Sequence, residues 1–251
     1  MDFINVTAEN IEKEHICCAI ASEKDCQVLS KKEWLKARFQ DGLVFRRADA
    51  RGKCFIEYLP AEKAWVPVEA DGYMYIDCLW VSGQFAGQGY AGVLLDDCIA
   101  DAKAKGRMGL VTLSSDRKRP FLSDPKFLIH KGFMECDACA PYFTLMCLPF
   151  AKDAKLPKFS DSVRRPPEEK KGFALYYTQQ CPYTAKYVPL IAETAEAHGA
   201  PFVQKKLDSA ESAKCAPSPF SSYTLYFDGE FVTNEILSVP KFTKLLAERG
   251  Y

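Results

Sequence analysis

The stretch VSGQFAGQGYAGVLL, residues 81–95, sets Gly87, Gly89, Ala91 and Gly92 between a run that alternates like a strand, Tyr75 to Val81, and a run with helical spacing. A turn from strand to helix leaves the first backbone N–H groups of the helix unpaired. The helix dipole adds roughly +0.5 of an elementary charge at that end. Side chains this small let an anion approach those donors, so the residue types and their spacing point to a phosphate or pyrophosphate site. Close packing of strand against helix is the alternative use of the same glycines. A second residue with chemistry of its own is Cys181 in QQCPYTAKYV, ahead of another helical run. Unpaired N–H groups at a helix start favour a thiolate, so Cys181 is expected to alkylate faster than buried cysteines. Cys136 and Cys139 form a C-x-x-C, but no second pair stands at zinc-finger spacing. Packing is the expected role there, and no metal site is expected. His130 lies on a short helical run and His15 and His198 have no evident partners, so none receives a role.

Elements that must position these residues follow from periodicity. Residues 1–10 read as a strand, IEKEHICCAIA as a helix, and DGLVFRRADARGKCFIEYLPA as a hairpin turning at Ala50, Arg51 and Gly52. GYMYIDCLWVSG is the strand before the glycines, and GVLLDDCIADAKAKG the amphipathic helix after them. MGLVTLSS is a strand, DPKFLIHKGF a short helix started by Asp124-Pro125, and MECDACAPYFTLMCLPF a hairpin. Residues 151–171 are charged and proline-rich and read as a solvated connector. From Gly172 onward the order is strand, helix, strand, hairpin around Asp228-Gly229, and a last helix. The expected organisation is therefore an α/β domain over 1–150, a linker over 151–171 and a smaller α/β domain over 172–251.

Composition bounds the function. With 33 basic and 33 acidic residues in 251, the chain has no net charge, which argues against nucleic acid and anionic membranes as partners. No leader-like N-terminus and no apolar run near the length of a membrane span are present, so a soluble cytoplasmic protein is expected. Eleven cysteines, an odd number within mostly apolar patterns, read as free thiols that pack as small hydrophobes.

The frame LWVSGQFAGQGYAGVLL resembles motif A of the GNAT superfamily of acyl-CoA-dependent N-acyltransferases, in which L-x-V precedes a glycine loop and an aliphatic helix. Leu79 and Val81 match the strand, Gly87, Gln88, Gly89, Tyr90 and Ala91 the loop; Ala86 stands where the family usually carries Arg or Gln. KGF at 131–133 is a further family feature, and the resemblance covers about residues 1–150. It implies a mixed, splayed sheet and acetyl-CoA as co-substrate. Backbone groups of Leu79, Trp80 and Val81 would hold the pantetheine arm, and amides from Gly87 to Ala91 the pyrophosphate. The implied reaction is direct transfer of an acetyl group to a primary amine of a small molecule or peptide, by a monomer or homodimer.

Acetylation consumes a neutral amine, so a base or a water chain must take a proton, and an acid may return one to the departing thiolate. Alternation along the strand would place Tyr75, Asp77, Leu79 and Val81 on one face. Family members carry acidic or basic residues two and four positions before the motif Leu, which are Asp77 and Tyr75 here. Asp77 is the candidate base, with Glu57 on the preceding strand as the alternative. The usual Tyr acid position holds Leu128, which leaves Tyr142 or solvent for that step. In the second domain, Cys181, Pro182 and Tyr183 resemble the thioredoxin and glutaredoxin turn C-P-Y-C, with Thr184 for the second cysteine and Ser222 where such folds place a cis-proline. The whole chain is similar to YoaP-like acetyltransferases. The other reading is a thiol-based redox or sensing protein that uses Cys181, paired with another thiol or with Cys215.

Overall fold

Short runs of β-branched and aromatic residues divided by glycine and proline produce many strands and few long helices. In chain order they are β1 (Phe3–Val6), α1 (Cys26–Phe39), β2 (Val44–Ala48), β3 (Cys54–Pro60), β4 (Val68–Glu69), β5 (Tyr73–Val81), α2 (Tyr90–Ala104), β6 (Gly109–Ser115), α3 (Pro125–His130), β7 (Met134–Cys139), β8 (Phe143–Pro149) and β9 (Lys158–Phe159). There follow β10 (Phe173–Tyr177), α4 (Tyr183–Ala197), β11 (Phe202–Lys206), α5 (Ala210–Lys214), β12 (Tyr223–Phe227), β13 (Glu230–Thr233) and α6 (Val239–Glu248). The computed structural model describes residues 1–251. It divides into one unit of Met1–Ile20, Lys32–Ala64 and Val68–Phe159 and another of Ala21–Lys31, Trp65–Pro67 and Ser160–Tyr251. No helix is long and apolar enough to cross a membrane.

In the first unit seven strands form one sheet in the order β1-β2-β3-β5-β6-β8-β7. All neighbours are antiparallel except β5 and β6, whose parallel connection runs through α2. Helix α2 buries Leu94, Leu95, Cys98 and Ala102 against Ile56, Met74, Ile76 and Leu110. Each leucine so buried contributes roughly 1.5–3 kcal/mol, which fixes the helix on one face of the sheet directly behind the glycine loop.

Two expectations fail in this unit. Residues 11–21 form turns rather than a helix. Asn10 ties the chain into a turn by accepting from the Thr7 N–H and donating to Asn5 O, and Ile11, Ile16, Cys17 and Cys18 are all buried, which a one-faced helix would not achieve. The helix starts later, where Asp25 Oδ1 accepts from the Gln27 N–H at 2.8 Å and begins α1. The supposed connector is also partly structured: β9 pairs with β4, the Phe159 N–H donates to Asp137 Oδ2, and Phe159 and Val163 are buried.

The second unit has a four-stranded sheet in the order β11-β10-β12-β13, with β10 parallel to β11 and antiparallel to β12. Its core collects Phe173, Leu175, Val188, Ile191, Tyr223, Leu225, Phe242 and Leu246. Phe242 sits edge-on to Phe173 at 5.4 Å and to Phe202 at 6.0 Å, so this ring, with Leu246, anchors α6 on the core. Phe242→Ala is expected to cost about 3–5 kcal/mol and to lower the urea midpoint of this unit; an unchanged midpoint would show that α6 is held by something else.

Candidate active site

Strands β5 and β6 pair only from Tyr73–Gly109 to Ile76–Thr112. Beyond that point Cys78–Val81 pair with β3 alone and Leu113–Ser115 with β8 alone, so the two strands part and leave facing backbone groups for a third, strand-like occupant. The Thr112 hydroxyl donates to Ile76 O at 3.0 Å and closes the root of this fork.

At the open end of β5 the loop turns into α2. Gly87 and Gly89 have φ of +74° and +81°, values that disfavour any residue with a Cβ, and nothing lies within 4 Å of where their Cβ atoms would stand. The Ala86 N–H donates to Gly83 O and the Gly92 N–H to Gly89 O, while the amides of Gly87, Gln88, Gly89, Tyr90 and Ala91 between them reach no protein acceptor. No acid stands in the first turn of α2 and no side chain caps it. The loop is held from outside these amides: the Tyr90 ring packs edge-on to Phe3 and Phe85, the Gln88 side chain donates to Gln84 O, and the Gln84 side chain donates to Arg51 O. The arrangement is a set of fixed donors with free space before them, at the positive end of a 15-residue helix.

Register corrects the expected face of the catalytic candidates. Glu57 pairs with Cys78 and Tyr58 with Ile76, so Asp77 is the extra residue of a β-bulge. Met74 and Ile76 face α2, and after the bulge Leu79 and Val81 face it as well. Tyr75 therefore does not share a face with Leu79 and Val81; it lies on the opposite one with Glu57, Cys78 and Trp80. A bulge re-aims the side chain it carries, and here it sets Asp77 at the first position of β5 beyond the ladder with β6.

The Tyr75 side chain is buried beside the fork, and the residue is 4% exposed. Burial first, and then the neighbouring Asp77 charge, push its ionisation well above the ordinary tyrosine range, so it stays neutral and able to donate. Asp77 and Tyr75 are thus brought together. Glu57 is buried on the adjacent strand. Trp80 carries Lys53 Nζ 4.1 Å from its ring centroid, so its side chain packs while its backbone lines the fork.

Tyr142 lies just beyond the end of β6, where its carbonyl accepts from the Asp116 N–H. It follows Pro141 in the β7–β8 turn, where Arg119 lies 3.8 Å over its ring and is itself paired with Asp116. Leu128 is buried in the core below α2, and His130 is exposed. In the second unit Cys181 is half-buried just before α4, Cys215 is exposed at the end of α5, and neither is in a disulfide. The Thr184 hydroxyl donates to Thr178 O and Cys181 O, so the place of a second cysteine is filled by a group that ties the turn. Ser222 donates to Gln180 Oε1.

Residues 201–244 match the YoaP-like family. Over 247 residues, 98% of each chain, the sequence is 46% identical to a Bacillus subtilis (strain 168) protein described as an uncharacterized N-acetyltransferase, YoaP. Among solved structures, a GNAT family acetyltransferase from Brucella melitensis in complex with acetyl-CoA is 17% identical, aligning 61% of this chain with 90% of that one at a TM-score of 0.38. The PaiA N-acetyltransferase from Thermoplasma acidophilum in complex with coenzyme A is 16% identical, aligning 60% with 100% at a TM-score of 0.40. Identity of this level along nearly the whole of both chains settles kinship: the chain belongs to the YoaP-like N-acetyltransferases.

Proposed function

We propose that the protein transfers the acetyl group of acetyl-CoA directly to a primary amine of a small molecule or peptide. The observation that carries this reading is the set of five amides from Gly87 to Ala91 without protein acceptors, opening beside the unpaired backbone of the β5–β6 fork. Those amides hold the pyrophosphate, and the backbone of Leu79, Trp80 and Val81 holds the pantetheine arm as a strand would. Asp77 takes the proton that the amine loses as its nitrogen attacks the thioester carbonyl. Tyr75 stays neutral and donates toward the sulfur or the carbonyl oxygen. The division of labour assigns residues 1–150 to transfer and 172–251 to an accessory module, with 151–171 between them. The strand order and the turn at Cys181 support a thioredoxin-type module there.

Direct transfer requires both substrates on the enzyme at once. Initial rates with acetyl-CoA and an accepted amine should give intersecting double-reciprocal lines, whereas parallel lines would indicate an acetyl-enzyme and overturn the mechanism. Because Tyr75 ionises far above its usual range, it should contribute no alkaline limb to the rate profile. Tyr75→Phe is expected to lower turnover by about tenfold with the shape of that profile unchanged. A profile whose alkaline limb disappears in the variant would mean that Tyr75 titrates during turnover.

A further inference from the structure

Residues 82–92 carry no charged side chain, and Ala86 stands where motif A usually has Arg or Gln, so the glycine loop brings no cation of its own to a phosphate. A cation reaches it from α3 instead. Lys131 Nζ lies 2.9 Å, and its Cε 3.3 Å, from where a Cβ on Gly92 would stand. Gly92 is the third residue of α2 and, unlike Gly87 and Gly89, has no left-handed φ, so its backbone does not call for glycine. Glycine within a helix is destabilising relative to alanine. What the absent side chain provides here is room for the ammonium.

The end of α3 delivers this group. Lys131 caps α3 with its N–H on Phe127 O and Leu128 O, Gly132 turns the chain at φ +87°, and the Phe133 N–H returns to Leu128 O. Leu128 and Phe133 are buried in the same core as Leu94, Leu95 and Cys98 of α2. The backbone from which the lysine starts is therefore fixed against α2.

Electrostatically the ammonium is at the wrong end of that helix. The amino end is the positive pole of the dipole, where anions are favourable and cations are not. No acid stands in the first turn to offset this, and Lys131 pairs with Asp96, four residues after Gly92 on the same face, at 3.4 Å. The Asp96 side chain is 65% exposed, and a long pair open to solvent contributes little. An anion before the first turn would satisfy the ammonium, the helix pole and the unpaired amides together.

We propose that Lys131 is the phosphate-binding cation of the acetyl-CoA site, its ammonium exchanging Asp96 for an oxygen of the pyrophosphate on the Gly87–Ala91 amides. The inference rests on the acetyl-CoA reading of that loop and adds the charged side chain that the loop lacks. The exchange leaves the backbone in place, since it needs only the side chain to turn. Charge-assisted hydrogen bonds of this kind are about twice as strong as neutral ones, so the lysine should contribute measurably to affinity.

The test is calorimetric titration of the full chain with CoA and with dephospho-CoA, for the wild type, Lys131→Gln, Lys131→Arg and Asp96→Asn, beside the ligand-free melting temperature of each protein. Lys131→Gln should bind CoA about tenfold more weakly, with a smaller loss at high salt, while Lys131→Arg stays within about threefold of the wild type. Asp96→Asn should bind as tightly as the wild type or more tightly, because it releases the ammonium. Ligand-free melting temperatures should differ little, and the tenfold loss should persist with dephospho-CoA, which keeps the pyrophosphate and lacks the 3′-phosphate. Equal losses of affinity in Lys131→Gln and Asp96→Asn would reveal a structural ion pair and overturn the proposal. So would a loss that vanishes with dephospho-CoA. Equal binding of CoA by the wild type and Lys131→Gln would refute the lysine's role alone, whereas no binding by the wild type would refute the acetyl-CoA reading with it.

Discussion

Acetyl-CoA at about a hundred times its dissociation constant should stabilise the wild-type protein by about 2.7 kcal/mol, and Gly89→Asp should remove that gain entirely. For a domain of this size the gain corresponds to a rise in Tm of roughly 5–10 °C. Gly89 caps α2 with φ of +81° and sits among the five amides that have no protein acceptor, with open space where a side chain would project. An aspartate there fills the space, satisfies the helix terminus with its own carboxylate and repels the pyrophosphate. It also strains the backbone, so the variant must be compared with its own ligand-free melting point. Gly89→Asn separates the two effects, because asparagine tolerates the left-handed region and carries no charge. Its ligand shift should be reduced but present. A full shift in Gly89→Asp would place the phosphates elsewhere and break the argument built on the loop.

Asp77→Asn should lower turnover by about a hundredfold or more near neutral pH while leaving the affinity for acetyl-CoA almost unchanged. The substitution keeps the volume and the bulge and removes only the capacity to accept a proton. The bulge is what gives the prediction its force: register with β3 skips Asp77, so the side chain stands at the root of the fork rather than in the alternating rows of β5. Its neighbour Tyr75 stays neutral because of burial and the Asp77 charge, and the loss of that charge in Asp77→Asn should bring the tyrosine ionisation down toward its ordinary value. Full activity of the variant from about pH 6 to about pH 9 would move the proton-accepting role to Glu57, Tyr75 or water.

The elements around the site were legible because each carries a local signal. Glycines mark both ends of the loop, alternation marks β5, Asp124 starts α3 by accepting from the Lys126 N–H, and Asp228-Gly229 turns the last hairpin. What escaped the sequence depends on long-range pairing. The bulge at Asp77 has no composition of its own; it exists because β3 fixes the register on either side of it. Helix α1 hid behind an unusual pattern, since its Lys31 and Lys32 are buried with their ammonium groups donating to the carbonyls of Gln180 and Glu12. Residues 11–21 misled for the opposite reason: their apolar positions suit a helix, yet local side-chain bonds from Asn10 and burial on all sides produce turns. In the charged stretch after residue 150 two isolated apolar residues, Phe159 and Val163, were enough to anchor the chain. Tyr142 carries Arg119 over its ring, a contact that only the folded hairpin brings about.

The central claim is most directly tested by incubating the protein with acetyl-CoA and a panel of small amines and lysine-containing peptides, following free CoA thiol and acetylated product by mass spectrometry in the same samples. At least one amine should gain a single acetyl group in amounts equal to the CoA released, with the rate falling in Asp77→Asn and in Gly89→Asp. Release of CoA without any acetylated amine, or the same product rate in all three proteins, would contradict the account.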